Sequence, residues 1–507
     1  MRTVFVLFDS LNRLALGSYG GTQIATPNFD RFARRAVSFD NHYVGSLPCM
    51  PARRDIHTGR LNFMHRSWGP LEPFDNSLPE ILKKAGIYSH LISDHFHYFE
   101  DGGATYHNRY NTWEFVRGQE NDPWVAMVKP PIERFKEKYS DHHYNAPGDF
   151  KRRQHQINRE KMVAEADFPG PQCFERAFRF LDENRGADDW MLHLECFDPH
   201  EPFHAPDRFK EAYRTAYNGP IIDWPKYGPV KENKLEIAEI RANYAALVAM
   251  CDAYFGKLLD YFDAHDMWKD TCLILTTDHG FLLSEHDWWG KNQTPYYEEI
   301  SHIPMIVHHP DHAARAGTRV RALSQTSDLM PTMLEIFGLP IPSETTGVSV
   351  LPLIAGAPGR EAIIFGMFGG PIGITDGTYS YFRYPRDLFD ETLGEYTLMP
   401  THLTGFFNSN ELKTATLAGP FDFTKGLKLM RYSALNESSR APGPNNRVQA
   451  QFKSAIYDNA RDPNQLNPID MPAIEAKLKD AAIRLLRAHD APREYFEWLT
   501  LTPQAAE

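Results

Sequence analysis

Residues 3–8, Thr-Val-Phe-Val-Leu-Phe, form an unbroken apolar run that stops at Asp9. A short continuous run of this kind reads as a strand buried on both faces, as in the interior of a parallel sheet. Residues 87–92, 190–195, 271–277 and 304–308 read as further strands. Helical periodicity fills the intervals: 27–37 with Thr26 as its N-cap, 77–85 closed by Gly86, 171–184, a long stretch from about 234 to 264, and 328–337. Strands alternating with helices predict an α/β fold, a large mostly parallel sheet flanked by helices. Ligands in such folds gather beyond the carboxyl ends of the strands. Asp9 and Asp278 each stand just past a predicted strand, which points both to one site.

After Pro358-Gly359 the texture changes. Short strands are predicted at 363–368, 372–375 and 378–384, with Asp376-Gly377 at a hairpin turn, and an amphipathic helix at 472–488. Two domains are therefore expected: a catalytic α/β domain over 1–358 and a smaller α+β domain with a short antiparallel sheet over 359–507. Two stretches, about 104–170 and 386–450, show little regular pattern and are rich in aromatics, His, Asn and Pro. Lids, substrate walls or contacts of a homo-oligomer are the roles expected of them.

Composition narrows the function. The 507 residues are 42% hydrophobic and 24% charged, as in an ordinary globular protein, and the formal charge of -12 disfavours nucleic acid as a partner. Five scattered cysteines, with no CxxC pair, make neither a disulfide framework nor a zinc site. The N-terminal apolar run is too short for a signal peptide, and no run approaches the roughly 20 residues that span a bilayer. A cytoplasmic, bacterial protein is expected, without a membrane partner.

The candidate chemistry centres on Cys49-Met50-Pro51-Ala52-Arg53, followed by Thr58-Gly59-Arg60. A lone cysteine is more often a small buried hydrophobe than a reactive group. Here it has company in order along the chain: Asp9; Asp198-Pro199-His200-Glu201-Pro202-Phe203; Asp278-His279; and Gly290-Lys291 twelve residues after His279. This constellation resembles the formylglycine-dependent sulfatases and phosphonate monoester hydrolases of the alkaline phosphatase superfamily. The resemblance covers about residues 3–350 in ordered blocks. It implies that Cys49 is oxidised to Cα-formylglycine by a maturation enzyme that reads Cys-x-Pro-x-Arg. The hydrated aldehyde would attack sulfur through one hydroxyl, and the other would release sulfate.

By the same resemblance, Asp9, Asp278 and His279, with the oxygen at position 49, would hold one divalent cation. Carboxylates favour calcium, and the imidazole shifts the balance toward manganese. Family members often carry a further carboxylate or carboxamide directly after the first aspartate. This chain has Ser10 there and Asn12 two residues on, so either could complete the shell, with Asn12 slightly favoured. Arg53 would steady the nucleophile and the metal-bound carboxylates. Lys291 would neutralise the sulfuryl charge, and His200 would contact a sulfate oxygen or protonate the leaving oxygen. In Ser93-Asp94-His95-Phe96-His97, His95 and His97 take the places of the family's lysine and histidine that touch substrate; another alignment places Asp94 there instead. His65, Trp68 and His402 are further candidates. The function implied is hydrolysis of a small anionic ester: a sulfate monoester of an aryl alcohol, sugar or metabolite. A phosphonate monoester or phosphodiester hydrolase and a non-catalytic binding protein on the same fold are the alternatives.

Overall fold

The computed structural model describes residues 1–146, 148–388, 392–434 and 448–501. The unbroken apolar strands meet in one eight-stranded sheet. Its order is Arg319–Val320, Val37–Phe39, Met305–His308, Thr271–Thr276, Arg2–Phe8, Trp190–Cys196, Tyr88–Ser93 and Thr112–Phe115. Arg2–Phe8 sits near the middle, parallel to Trp190–Cys196 on one side and to Thr271–Thr276 on the other. Met305–His308 runs antiparallel to both of its neighbours. Leu7 lies opposite both Glu195 and Thr276, so the carboxyl ends of three adjacent strands finish level.

Alternation along the central strand sorts the helices. Val4, Val6 and Phe8 pack on a core that includes the helices Pro27–Arg35, Pro169–Glu183 and Lys234–Ala264. Phe5 and Leu7 point the other way, against Met50 and Ile56 of the helix Cys49–Thr58 and against Leu329–Ile336. Thr26 does precede the helix Pro27–Arg35, but its hydroxyl accepts from Gly17 N instead of capping. The capping oxygens come from Asp252 of the long helix, which accepts from the amides of Asn28 and Phe29.

Past residue 359 the strands form sheets of their own. Ile363–Gly366, Ile372–Thr375, Tyr379–Arg383 and Ala455–Asp458 make a four-stranded antiparallel sheet, backed by the helix Pro472–Ala488. That core also takes in Tyr43, Leu61, Phe63 and Tyr296, so it is continuous with the chain around the Cys49 helix.

Both stretches expected to lack regular pattern contain elements. Within 386–450, Gly394–Thr397, Leu429–Ser433 and Thr416–Ala418 pair into a three-stranded sheet, while 389–391 and 435–447 lie outside the described residues. Within 104–170, Thr112–Phe115 forms an edge strand and Ile132–Lys138 and Phe150–Arg159 form helices. Their sequences hid them for physical reasons. An edge strand need not be apolar on both faces, and the helix Phe150–Arg159 (FKRRQHQINR) carries too few apolar residues to show a period. Among the described residues, no helix is long and apolar enough to cross a membrane.

Candidate active site

Three strand ends and one helix start build the site. Asp9 follows Arg2–Phe8, Glu195 is the penultimate residue of Trp190–Cys196, and Asp278-His279 follow Thr271–Thr276. Cys49 opens the helix Cys49–Thr58, and Arg53 lies one turn further on the same face. Gly59 closes that helix in the left-handed region, φ 66°, with its amide on Asp55 O.

Arg53 is 1% exposed and satisfies three carboxylates at once. Its Nε donates to Glu195 Oε1 at 2.9 Å, one terminal nitrogen to Asp278 Oδ2 at 2.5 Å and the other to Asp9 Oδ2 at 2.8 Å. Burial works against its charge, but Glu195, Asp278 and Asp9 outweigh burial and hold the guanidinium protonated. Tyr98 donates to the second oxygen of Glu195 at 2.7 Å.

The nucleophile position faces a cation and an imidazole. Cys49 Sγ lies 3.1 Å from His279 Nε2 and 3.3 Å from Lys291 Nζ. Burial and then Asp9 push the Cys49 thiol well above its usual range. An unmodified Cys49 would therefore be a poor thiolate nucleophile at neutral pH. Lys291 is held protonated against burial by Cys49, Glu201, Asp9 and Asp278. Its ammonium also meets His200 Nε2 at 2.6 Å.

The donor set fits a divalent cation. Ligand atoms of Asp9, Cys49, Asp278 and His279 all lie within 4.8 Å of one another. His279 Nδ1 donates to Gly280 O at 3.0 Å, which leaves the Nε2 lone pair facing the cluster, as an imidazole ligand requires. Gly280 allows that turn, because a Cβ there would stand 1.9 Å from Glu299 O. The two aspartates divide as like charges do without a counter-ion: burial and Asp278 push Asp9 up. Burial raises Asp278 as well, yet His279, Arg53 and Lys291 overcome it and hold that carboxyl below its usual range. A cation between them would remove this conflict.

The remaining sequence candidates divide between the pocket and its supports. Ser10, at φ 60°, turns its hydroxyl onto Asp9 Oδ1 at 2.8 Å and lies 3.5 Å from Lys291 Nζ, so it borders the cluster. The amide of Asn12 is committed to the main chain of Phe281 through both its oxygen and its nitrogen, at 2.7 and 2.8 Å. Asn12 therefore fastens the loop that carries His279. His95 is fully buried, 3.9 Å from Asp9 Oδ2, and neither ring nitrogen has a hydrogen-bond partner. Burial, then Arg53 and His97, keep it neutral, which suits it to a polar guest. His97 sits at the rim, with Nδ1 on Glu100 at 2.5 Å and its ring edge-on to Trp68.

Asp94 is not in the pocket. It accepts from Phe197 N and shares the Gln119 side-chain amide with Asp198. His65 is bonded to Asp490 O and His402 to Glu411, both away from the cluster. Two participants were not singled out from the sequence. Glu195 stands at the end of a buried strand, close to where Asp9 stands on its own, and that parallel was the available signal. Tyr98 comes from a segment whose pattern gave none.

Comparison with known proteins identifies the family. The family model described as Sulfatase matches residues 2–339. An N-acetylglucosamine-6-O-sulfatase of Bacteroides thetaiotaomicron is 26% identical over 69% of this chain and 70% of its own length. The multifunctional alkaline phosphatase superfamily protein PehA of Trinickia caryophylli is 27% identical over 66% of this chain and 72% of its own. The solved structure of the phosphonate monoester hydrolase of Agrobacterium radiobacter superposes with a TM-score of 0.63 at 17% identity, covering 96% of this chain and 95% of that one.

Proposed function

From the premise that the chain belongs to the sulfatase family, we propose that it hydrolyses sulfate monoesters of small aryl, sugar or metabolite alcohols, with position 49 as the nucleophile. The observation that carries the reading is the contact series Cys49–Lys291–His200, at 3.3 and 2.6 Å, set against the Asp9–Asp278–His279 cluster. A formylglycine at position 49 and a divalent cation, calcium or manganese, would supply the oxygen nucleophile and Lewis acidity.

The chain's own residues supply the rest. Arg53 fixes the three carboxylates, so the cation ligands are oriented before substrate arrives. Lys291 offers a permanent positive charge to the sulfuryl oxygens, and His95 presents two uncommitted nitrogens, Nδ1 lying 3.9 Å from Asp9 Oδ2. His200 Nε2, in contact with the lysine, is placed to hand a proton to the departing oxygen. The buried setting excludes bulk water from these charges, which strengthens each interaction.

A second reading keeps this machinery and changes the ester: hydrolysis of phosphonate monoesters or phosphodiesters. Its support is the similarity to PehA, a multifunctional alkaline phosphatase superfamily protein, and the fold shared with the phosphonate monoester hydrolase of Agrobacterium radiobacter. Comparing kcat/KM on an aryl sulfate, an aryl phosphonate monoester and an aryl phosphodiester tests both. A preference for the sulfate supports the main reading; a preference for either phosphorus ester replaces it. Mass spectrometry of the Cys49 peptide from the native host tests the nucleophile, and an unmodified thiol there would overturn it.

A further inference from the structure

We propose that a cavity bounded by Asn12 and Tyr244 is a second binding site, which takes a small zwitterion: its carboxylate meets Arg13 and its ammonium meets Glu299. The site goes beyond the ester-hydrolase reading and stands without it.

The cavity holds about 400 Å³, within the range of small-molecule sites. None of Asp9, Cys49, His200, Asp278, His279 or Lys291 lines it. Asn12 and Tyr244 stand between, with Tyr244 Oη accepting from Asn12 N and donating to Ser10 O, each at 2.9 Å. Ala15, Ile24, Ala245 and Leu283 give the cavity an apolar wall.

Its charged lining is Arg13, Arg241, Glu285, Glu298 and Glu299. Most of it is already paired. Arg241 Nε donates to Leu283 O at 2.7 Å, and a terminal nitrogen lies 3.7 Å from Glu285 Oε1. Glu285 Oε2 accepts from Leu283 N. Glu298 accepts from Tyr43 at 3.1 Å and meets His302 Nδ1 at 2.5 Å, while the Arg13 charge acts on it through space. Arg13 and Glu299 remain. Arg13 Nε and Glu299 Oε2 are both buried, and neither has a hydrogen-bond partner. His286 Nε2, 3.5 Å from Glu299 Oε2, closes no hydrogen bond with it.

Buried charged groups left without partners are costly, and each calls for a reason. These two come from segments that meet over Gly280: a Cβ there would stand 1.9 Å from Glu299 O and 2.8 Å from the side-chain oxygen of Asn12, the residue before Arg13. Yet Arg13 Nε and Glu299 Oε2 do not bond each other. A molecule carrying a carboxylate and an ammonium satisfies both. The arginine fork matches a carboxylate, and the apolar wall takes a hydrocarbon body. A plain anion would leave Glu299 unpaired beside it, and a plain cation would leave Arg13. An apolar amino acid has all three parts.

The test is calorimetric titration of the full chain with L-leucine, with isocaproate, which lacks the ammonium, and with isopentylamine, which lacks the carboxylate. L-leucine is expected to saturate one site by about 10 mM, enough to fill a site of millimolar Kd. Isocaproate and isopentylamine should each bind at least about tenfold more weakly, as the loss of one charge-assisted hydrogen bond requires. R13Q and E299Q should each weaken L-leucine by a similar factor. Ala242→Phe fills the cavity from the helix Lys234–Ala264 and should abolish binding, and it carries the test if a charge variant fails to fold. Absence of saturable L-leucine binding to the wild-type chain would overturn the site. So would equal binding of either half-molecule, or L-leucine binding that R13Q, E299Q or Ala242→Phe leaves unchanged.

Discussion

Arg53 holds Asp9, Glu195 and Asp278 with three nitrogens, a geometry that lysine cannot reproduce. Arg53→Lys is therefore expected to strand two buried carboxylates and to destabilise the fold by about 3 kcal/mol or more, read by urea denaturation. Cys49→Ala should behave in the opposite way. It abolishes turnover while the melting temperature moves little, because the side chain is small and its neighbours Lys291 and His279 keep other partners. Unfolding of the alanine variant would argue for a structural role. At this scale the sequence was most legible where a residue type is chemically hard to replace. Asp9, Cys49, Arg53, Asp278, His279, Lys291 and His200 all meet. Asn12 was ambiguous, because a carboxamide suits a metal shell and a loop clasp equally well, and its contacts with Phe281 show the clasp. Glu195 escaped notice because its neighbours in sequence, Leu194 and Cys196, are plain core residues, and only strand register, which sets it opposite Leu7, brings it to the same end of the sheet as Asp9.

The helix Cys49–Thr58 aims its N-terminus, the positive end of its dipole, at the site and buries all ten of its residues. Its stop signal is correspondingly strict. Gly59 has φ 66°, and a Cβ there would stand 2.6 Å from Thr345 Cγ2. Gly59→Ala should cost about 1–2 kcal/mol through backbone strain and the clash together, measured as a shift of the urea midpoint with an unchanged slope. Lys291 is fixed by a different element pair. Glu232 accepts from the indole of Trp289, two residues before Lys291, and from the amide of Lys231. Lys291→Ala should lower kcat/KM by at least about 100-fold, whereas Lys84→Ala, on a side chain 73% exposed, leaves it within twofold, by steady-state assay. Equal effects would remove Lys291 from the machinery. Helices with an apolar stripe, such as Lys234–Ala264 and Pro472–Ala488, were legible end to end. The strand pairing of Gly394–Thr397 with Leu429–Ser433 was not, since its signal lies in contacts between residues more than 30 apart.

Across the molecule, burial falls heavily on histidine. His42, His57, His65, His155 and His489 are each pulled down to about 3, with burial as the first cause. In the unfolded chain these groups take up protons near pH 6.5. The unfolded state therefore binds more protons between about pH 6.5 and 3, and folding stability falls as pH drops through that window. Each histidine contributes at most about 1.4 kcal/mol per pH unit there. Urea midpoints at pH 7.5 and 5.5 should show a marked loss at the lower value, and His57→Gln should flatten it. The fold class was readable because parallel strands are written as apolar runs. The continuity of the second core, where Tyr43 and Phe63 pack with Ile364 and Leu486, was not, because sequence texture changes at residue 359 while packing does not.

If Cys49 is converted as proposed, the burial of its helix sets an order of events during biogenesis. Cys49, Pro51 and Arg53 are all enclosed in the finished structure, and the guanidinium is locked among three acids. An enzyme that recognises those three side chains can reach them only while the polypeptide is still open, before the sheet closes over them. On that reading, a molecule that folds unconverted would have sealed the segment the enzyme must reach. Its activity would then have to be restored by unfolding and a second passage through synthesis-like conditions, not by later exposure to the modifying enzyme.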